Sequence, residues 1–233
     1  VSVDMPPGTV LAVIGPSGVG KSTLVRIMRR DLDPDQGSVI VNGDDIRDVR
    51  LASLLHRTSN IPQDSVVFGG TIRYNLVWTL TQEQQQRVRD EELWTLIQSL
   101  QLHERLTHGL DTLVGEGGIE LSGGESQRLM IGAAFVREAS CLFIDEATSN
   151  LDSTTERAVQ ELLKLVLARG KSAVIIAHRL STVRICNKYM VMKPVNQLQE
   201  GESQIEVIAD TFEEAYTKSA TLRRLANDQG IVL

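Results

Sequence analysis

Apolar residues in this chain follow two rhythms. Short unbroken runs at Val10–Ile14, Cys141–Ile144 and Ala173–Ala177 have the length and flanking turn residues of strands buried on both faces. Longer stretches repeat apolar positions every three or four residues, the helical period: Lys21–Arg30, Gly124–Val136, Thr154–Ala168, and Asp90–Leu102 with Leu93, Trp94, Ile97 and Leu100 on one face. Strands alternating with helices predict an α/β fold with a mostly parallel sheet. Ser38–Val41 reads as a further short strand ending at the hairpin signal Asn42-Gly43, and the stretch from there to Gln63 predicts a small antiparallel β region with one connecting helix. From Thr71 to Arg137 the helical pattern dominates, so residues 71–137 are expected to form an inserted α-helical subdomain between two core segments, 1–70 and 138–210. Past Met192 a hairpin leads into Phe212–Asn227. There Phe212, Ala215, Tyr216, Ser219, Leu222 and Ala226 recur at helical spacing, which predicts a C-terminal helix within 211–233 whose stripe packs on the core. Val1-Ser2-Val3-Asp4-Met5 alternates like a strand, and a start inside such an alternation is expected of a piece of a larger protein. The whole of 1–233 is read as one domain.

Composition narrows the function. With 233 residues, 42% hydrophobic and 23% charged, the chain can bury a substantial core. Its net charge of -6 lacks the basic footprint that a phosphate backbone demands, so no nucleic-acid partner is expected. The longest apolar run, Leu129–Val136, is far short of the roughly 18 residues of a membrane span, so the chain itself is expected to be soluble. Cys141 and Cys186 form no metal-like pair and are read as small buried hydrophobes in a reducing compartment.

Three clusters carry chemistry. Gly15-Pro16-Ser17-Gly18-Val19-Gly20-Lys21-Ser22 follows the first strand and opens a helix. Its glycines let successive backbone N–H groups point into one concavity, and the helix adds its positive end. Lys21 can reach the β- and γ-phosphates of a nucleoside triphosphate, and Ser22 can hold Mg²⁺. Asp145 and Glu146 close a second strand at the carboxyl edge of the sheet, where open α/β sheets bind ligands. Asp145 suits Mg²⁺, and Glu146 suits a general base for an attacking water. Ser122-Gly123-Gly124-Glu125 has the spacing of a capping box, which accounts for Ser122 and Glu125 but not for two adjacent glycines. Bare of side chains, that helix start could receive another phosphate. Two anion sites on separate parts of one chain imply a dimer that closes on the nucleotide from both sides.

Gly15–Ser22, Gln63, Leu121–Glu125, Cys141–Glu146, Ser149-Asn150-Leu151-Asp152 and His178 together resemble, in order, the Walker A, Q-loop, signature, Walker B, D-loop and switch-histidine motifs of ABC-type ATPases. The resemblance implies a P-loop NTPase core of RecA type with a helical subdomain, the ABC ATPase fold. It also implies a head-to-tail pair of nucleotide-binding domains, identical or homologous, with each ATP held between one Walker A loop and the other domain's signature. By that resemblance Thr23 joins the nucleotide contacts and Gln63 touches Mg²⁺ or the water. His178 contacts the γ-phosphate, and Asp152 lies at the dimer seam. Ile61–Arg73 and Val114–Gly118 look like the stretches of ABC exporters that face the membrane domains, so the chain is read as exporter type, with features of both multidrug-resistance and multidrug-resistance-associated members. The expected setting is the cytoplasmic face of a membrane, attached to transmembrane domains. Two alternatives are a soluble ABC ATPase of DNA repair or translation, opposed by the acidic charge, and a catalytically silent regulatory domain, opposed by intact Lys21, Asp145, Glu146 and His178. The family's adenine-stacking aromatic falls before Val1, and Glu125 stands where the signature more usually has glutamine.

Overall fold

The computed structural model describes residues 2–61, 66–137, 139–145, 153–176, 179–194, 198 and 202–230. The first strand, β1 (Val10–Ile14), leads into helix α1 (Lys21–Met28), followed by β2 (Ile40–Val41), β3 (Asp44–Asp45), α2 (Leu51–Arg57) and β4 (Thr58–Ile61). Next come β5 (Gly70–Thr71), α3 (Ile72–Val77), α4 (Gln82–Arg87), α5 (Asp90–Ser99), two 3₁₀ turns at His103–Arg105 and Gly109–Asp111, β6 (Leu113–Val114) and α6 (Gly123–Val136). The last part contains β7 (Cys141–Asp145), α7 (Ser153–Ala168), β8 (Ser172–Ile176), α8 (Leu180–Val183), β9 (Lys188–Met192), β10 (Ile205–Ala209), α9 (Phe212–Lys218) and α10 (Ala220–Asp228).

Six strands form the main sheet in the order β10-β9-β1-β8-β7-β4, parallel throughout except for the antiparallel β9–β10 hairpin at one edge. The unbroken apolar run of β1 has its reason in this position. Val10, Ala12 and Ile14 join the apolar layer that contains α7, while Leu11 and Val13 join a second layer with Val25 of α1 on the opposite face. Because β1, β4, β7 and β8 run parallel, Ile14, Ile61, Asp145 and Ile176 end at one edge of the sheet.

Residues 72–136 are mainly helical. Gly132 of α6 shows how tightly these helices approach, since a Cβ there would sit 2.8 Å from Leu100 Cδ1 and 3.1 Å from Leu76 Cδ2. The Asn42-Gly43 signal holds as well, with φ of 54° and 92° turning β2 back on β3. Among the described residues no helix is long and apolar enough to cross a membrane.

Three expectations need correction. Ser2–Met5 forms no strand, although the alternation is visible in burial: Val3 and Met5 pack on the second apolar layer while Ser2 and Asp4 face outward. β1, the nearest strand, already pairs with β8 and β9 on both sides. β4 joins the main sheet as its edge beside β7, whereas only β2 and β3 form the small antiparallel pair of this region. The expected C-terminal helix is two helices broken at Ser219, which is extended (φ −105°, ψ 121°) and fully buried. Its Oγ accepts from Leu222 N at 2.9 Å, and Glu206 Oε1 accepts from Ala220 N at 2.7 Å, so the second helix starts with two caps. The stripe itself is buried as expected, with Phe212, Ala215, Leu222 and Ala226 in the core.

Candidate functional site

The glycine-rich loop leaves β1 at the carboxyl edge of the sheet and ends on α1. Gly20 is the N-cap of that helix at φ 93°, ψ 14°, and Gly18 has φ 77°. A Cβ on either would meet nothing within 4 Å. Crowding is therefore not the reason for these glycines; the left-handed backbone is. No side chain caps α1, so the positive end of the helix and its leading N–H groups are left for an anion.

Lys21 is almost wholly buried and its ammonium curls back over the loop, donating to the carbonyls of Gly15 and Pro16 at 2.9 Å each. From this position a short swing of the ammonium would bring it to a phosphate in the loop, whose opposite charge strengthens the hydrogen bond. Ser22 Oγ donates to Asp145 Oδ1 at 3.2 Å, bridging the first turn of α1 to the end of β7. Two oxygens brought together beside a phosphate cradle are the donor set that Mg²⁺ takes from a protein when the nucleotide supplies the rest. Ser17 and Thr23 are exposed along the same stretch, and Val19 is buried beneath it.

One contributor could not be read from local pattern. Gln204, just before β10, donates from Nε2 to the Val19 carbonyl at 2.6 Å, so the distant hairpin pins the middle of the loop. A mid-loop glutamine carries no signal of such a partner.

Ser122–Glu125 lies at the start of α6, in the helical region. The capping box is complete: Glu125 N donates to Ser122 Oγ at 3.3 Å, and Ser122 N donates to Glu125 Oε2 at 2.8 Å. The Ser122 hydroxyl donates to the same Oε2 at 2.8 Å, and Arg105 Nη1 adds a third donor at 2.6 Å. Burial alone would raise the Glu125 carboxyl; the Ser122 hydrogen bonds and the Arg105 charge outweigh it and hold the group below its ordinary range. Ser122 and Gly123 are exposed. Arg105 is the second contributor missed at the sequence level, since it sits on a 3₁₀ turn far from the motif it serves.

Gln63, Glu146, Asp152 and His178 lie outside the described residues. A few residues beyond Asp152 in sequence, Glu156 of α7 accepts hydrogen bonds from the Arg179 guanidinium and the Ser181 hydroxyl. This carboxyl too lies below its ordinary range, because those partners overcome the upward push of burial. Burial lifts both Cys141 and Cys186 to about 12, so each stays a neutral, packed thiol.

Residues 1–149 match a family model described as ABC transporter. A heavy metal tolerance protein of Schizosaccharomyces pombe is 42% identical over 180 residues, spanning 76% of this chain and 21% of that protein. An ATP-dependent lipid A-core flippase of Desulfotalea psychrophila is 37% identical over 207 residues, 88% of this chain and 35% of the flippase. Among solved structures, a bacterial Atm1-family ABC exporter with ATP bound superposes with a TM-score of 0.78 at 31% identity, covering 97% of this chain and 38% of that one. The chain thus spans between 21% and 38% of the length of these relatives, and the matched part contains the uncapped α1, Lys21 and the Ser22–Asp145 pair. It belongs to the ABC transporter family, as an ATP-binding domain.

Proposed function

We propose that the chain is the ATP-hydrolysing domain of an ABC exporter, acting at the cytoplasmic face of a membrane and coupled to transmembrane domains of the same transporter. The observation that carries this reading is the convergence of an uncapped α1, a curled Lys21 and the Ser22–Asp145 pair on one edge of the sheet. Lys21 exchanges the Gly15 and Pro16 carbonyls for the β- and γ-phosphates of ATP. Ser22 and Asp145 hold Mg²⁺, with Gln63 beside them; when bound, the ion offsets phosphate charge during transfer. Glu146 takes a proton from the attacking water, and His178 hydrogen-bonds the γ-phosphate. Ser122, Gly123, Gly124 and Glu125 cover that phosphate from a second, head-to-tail domain, whose seam includes Asp152. The exporter character is supported by the flippase and the Atm1-family exporter among the relatives, and by the exporter-like stretches Ile61–Arg73 and Val114–Gly118. Division into a core of 1–70 with 138–210 and a helical subdomain of 71–137 is part of the same proposal, supported by β4 in the main sheet and by the close packing around Gly132.

Glu146→Gln tests the chemistry. The variant is expected to bind ATP with unchanged affinity by calorimetry while Mg²⁺-dependent phosphate release falls ~10²-fold or more. Turnover that survives the change removes Glu146 from the role of base.

A further inference from the structure

A carboxylate at the start of α6 is a poor neighbour for a phosphate. Like charges repel across a site that is dry when closed, and the same carboxylate already holds the hydroxyl proton of Ser122. Arg105 answers both problems. Its guanidinium spans two anchors, donating through Nη1 to Glu125 Oε2 at 2.6 Å and through Nη2 to the Glu120 carbonyl at 3.3 Å. One anchor is the cap itself and the other lies on the strand of chain that delivers Leu121 and Ser122 to the helix. Glu125 Oε2 has three donors: Ser122 N, Ser122 Oγ and Arg105 Nη1. If the hydroxyl turns away, the remaining two still satisfy the oxygen, and the local charge stays near zero.

We propose that Arg105 is a positioning residue of the signature loop: it neutralises Glu125 and frees the Ser122 hydroxyl to donate to the phosphate held by a second copy of the chain, without touching the nucleotide itself. The inference rests on the reading that Ser122–Glu125 closes over the other copy's ATP. Arg105 is half exposed, so its ion pair adds little to the stability of the fold. Its effect falls on anion recognition. That asymmetry separates positioning from a purely structural role.

The test is ATP-driven self-association of the full 233-residue chain, followed by sedimentation velocity with EDTA present to stop turnover. Arg105→Met is expected to weaken association about tenfold while the thermal midpoint of the nucleotide-free chain stays put, the factor corresponding to one unit of uncompensated pairing. Combining it with Glu125→Gln should recover most of the loss, because the charge that needed an answer is gone. Association within about twofold of the parent in Arg105→Met, or a loss that Glu125→Gln fails to relieve, overturns the proposal. Ser122→Arg distinguishes the underlying reading. If it abolishes association while Arg105→Met does nothing, only the role of Arg105 is lost. If association persists in Ser122→Arg, or the parent chain shows none with ATP, the signature-loop reading falls and this inference with it.

Discussion

The glycine-rich loop at Gly15–Ser22 and the glycine pair at Gly123-Gly124 are built on opposite principles. Within its own chain the first is over-determined. Gly20 is required by a left-handed backbone and Gly15 by close approach, since a Cβ there would lie 2.7 Å from the Met192 carbonyl oxygen. Lys21, Gln204 and Asp145 lock the loop from three directions. Gly123 has no such constraint: it is helical, exposed, and a Cβ on it would meet nothing within 4 Å. The fold of this chain gives no reason for glycine there. A residue kept bare with no intramolecular cause points outward, whereas a residue kept bare by its own neighbours points to a self-contained cradle.

Substituting the two glycines breaks that comparison most sharply. Gly15→Ala should cost about 1–3 kcal/mol of folding stability in urea titrations, because the obstructing atom is backbone and must move. ATP affinity should fall with it, since the displaced segment carries the carbonyls that hold Lys21. An unchanged urea midpoint would show that the hairpin after Met192 yields freely and that the loop is less constrained than its contacts imply. Gly123→Ala should do the reverse. Stability is expected to hold or rise by ~0.4–1 kcal/mol, as for glycine replaced at a compatible helical position, and ATP affinity of the single chain should be unaltered. ATP-driven association, read by sedimentation, should nevertheless drop by about tenfold or more, because a methyl group then stands where the other copy's phosphate must approach. Full association would return Gly123 to the status of an ordinary helix-start residue.

The same contrast explains what could be read in advance. β1, the glycine loop and the Ser122–Glu125 capping box are local patterns, and each is found where the spacing of residues predicts it. The break at Ser219 was hidden because the stripe Phe212, Ala215, Tyr216, Ser219, Leu222, Ala226 keeps its phase across it. The Ser219 hydroxyl capping Leu222 N and Glu206, reaching from β10 to Ala220 N, together give the reason a second helix starts there. β4 lies in the stretch that reads as a small β region, yet it pairs with β7 in the main sheet; Ser59, a polar residue at a buried position, blurs its apolar pattern. Ser2–Met5 shows the converse, an alternation that governs burial without a free strand edge to pair with. Arg105 and Gln204 act across 20 and 185 residues, a range over which periodicity and short motifs carry no information.

The smallest expected effect separates the two sites by charge. The signature loop is capped by the Glu125 carboxylate, whose charge acid removes. Glu125 is held below its ordinary value of 4.5 when folded, against the upward push of burial, by Ser122 and Arg105. A carboxyl depressed in the folded state stabilises the fold fully above its unfolded value and loses that contribution as pH falls through the folded one. The Glu125 contribution should therefore be intact at neutral pH and disappear only below about 4.5. Glutamine at this position can still complete the capping box, so at neutral pH Glu125→Gln is expected to cost less than ~1 kcal/mol. As the solution is acidified, the gap between the urea midpoints of parent and variant should close, because the parent loses an ionised cap that the variant never had. A gap that stays constant through the acid range would mean that the ionised carboxylate adds nothing beyond its geometry. In that case the pairing of Arg105 with Glu125 would matter only when a phosphate is present, and the contrast between a self-contained cradle and an outward-facing cap would be sharper still.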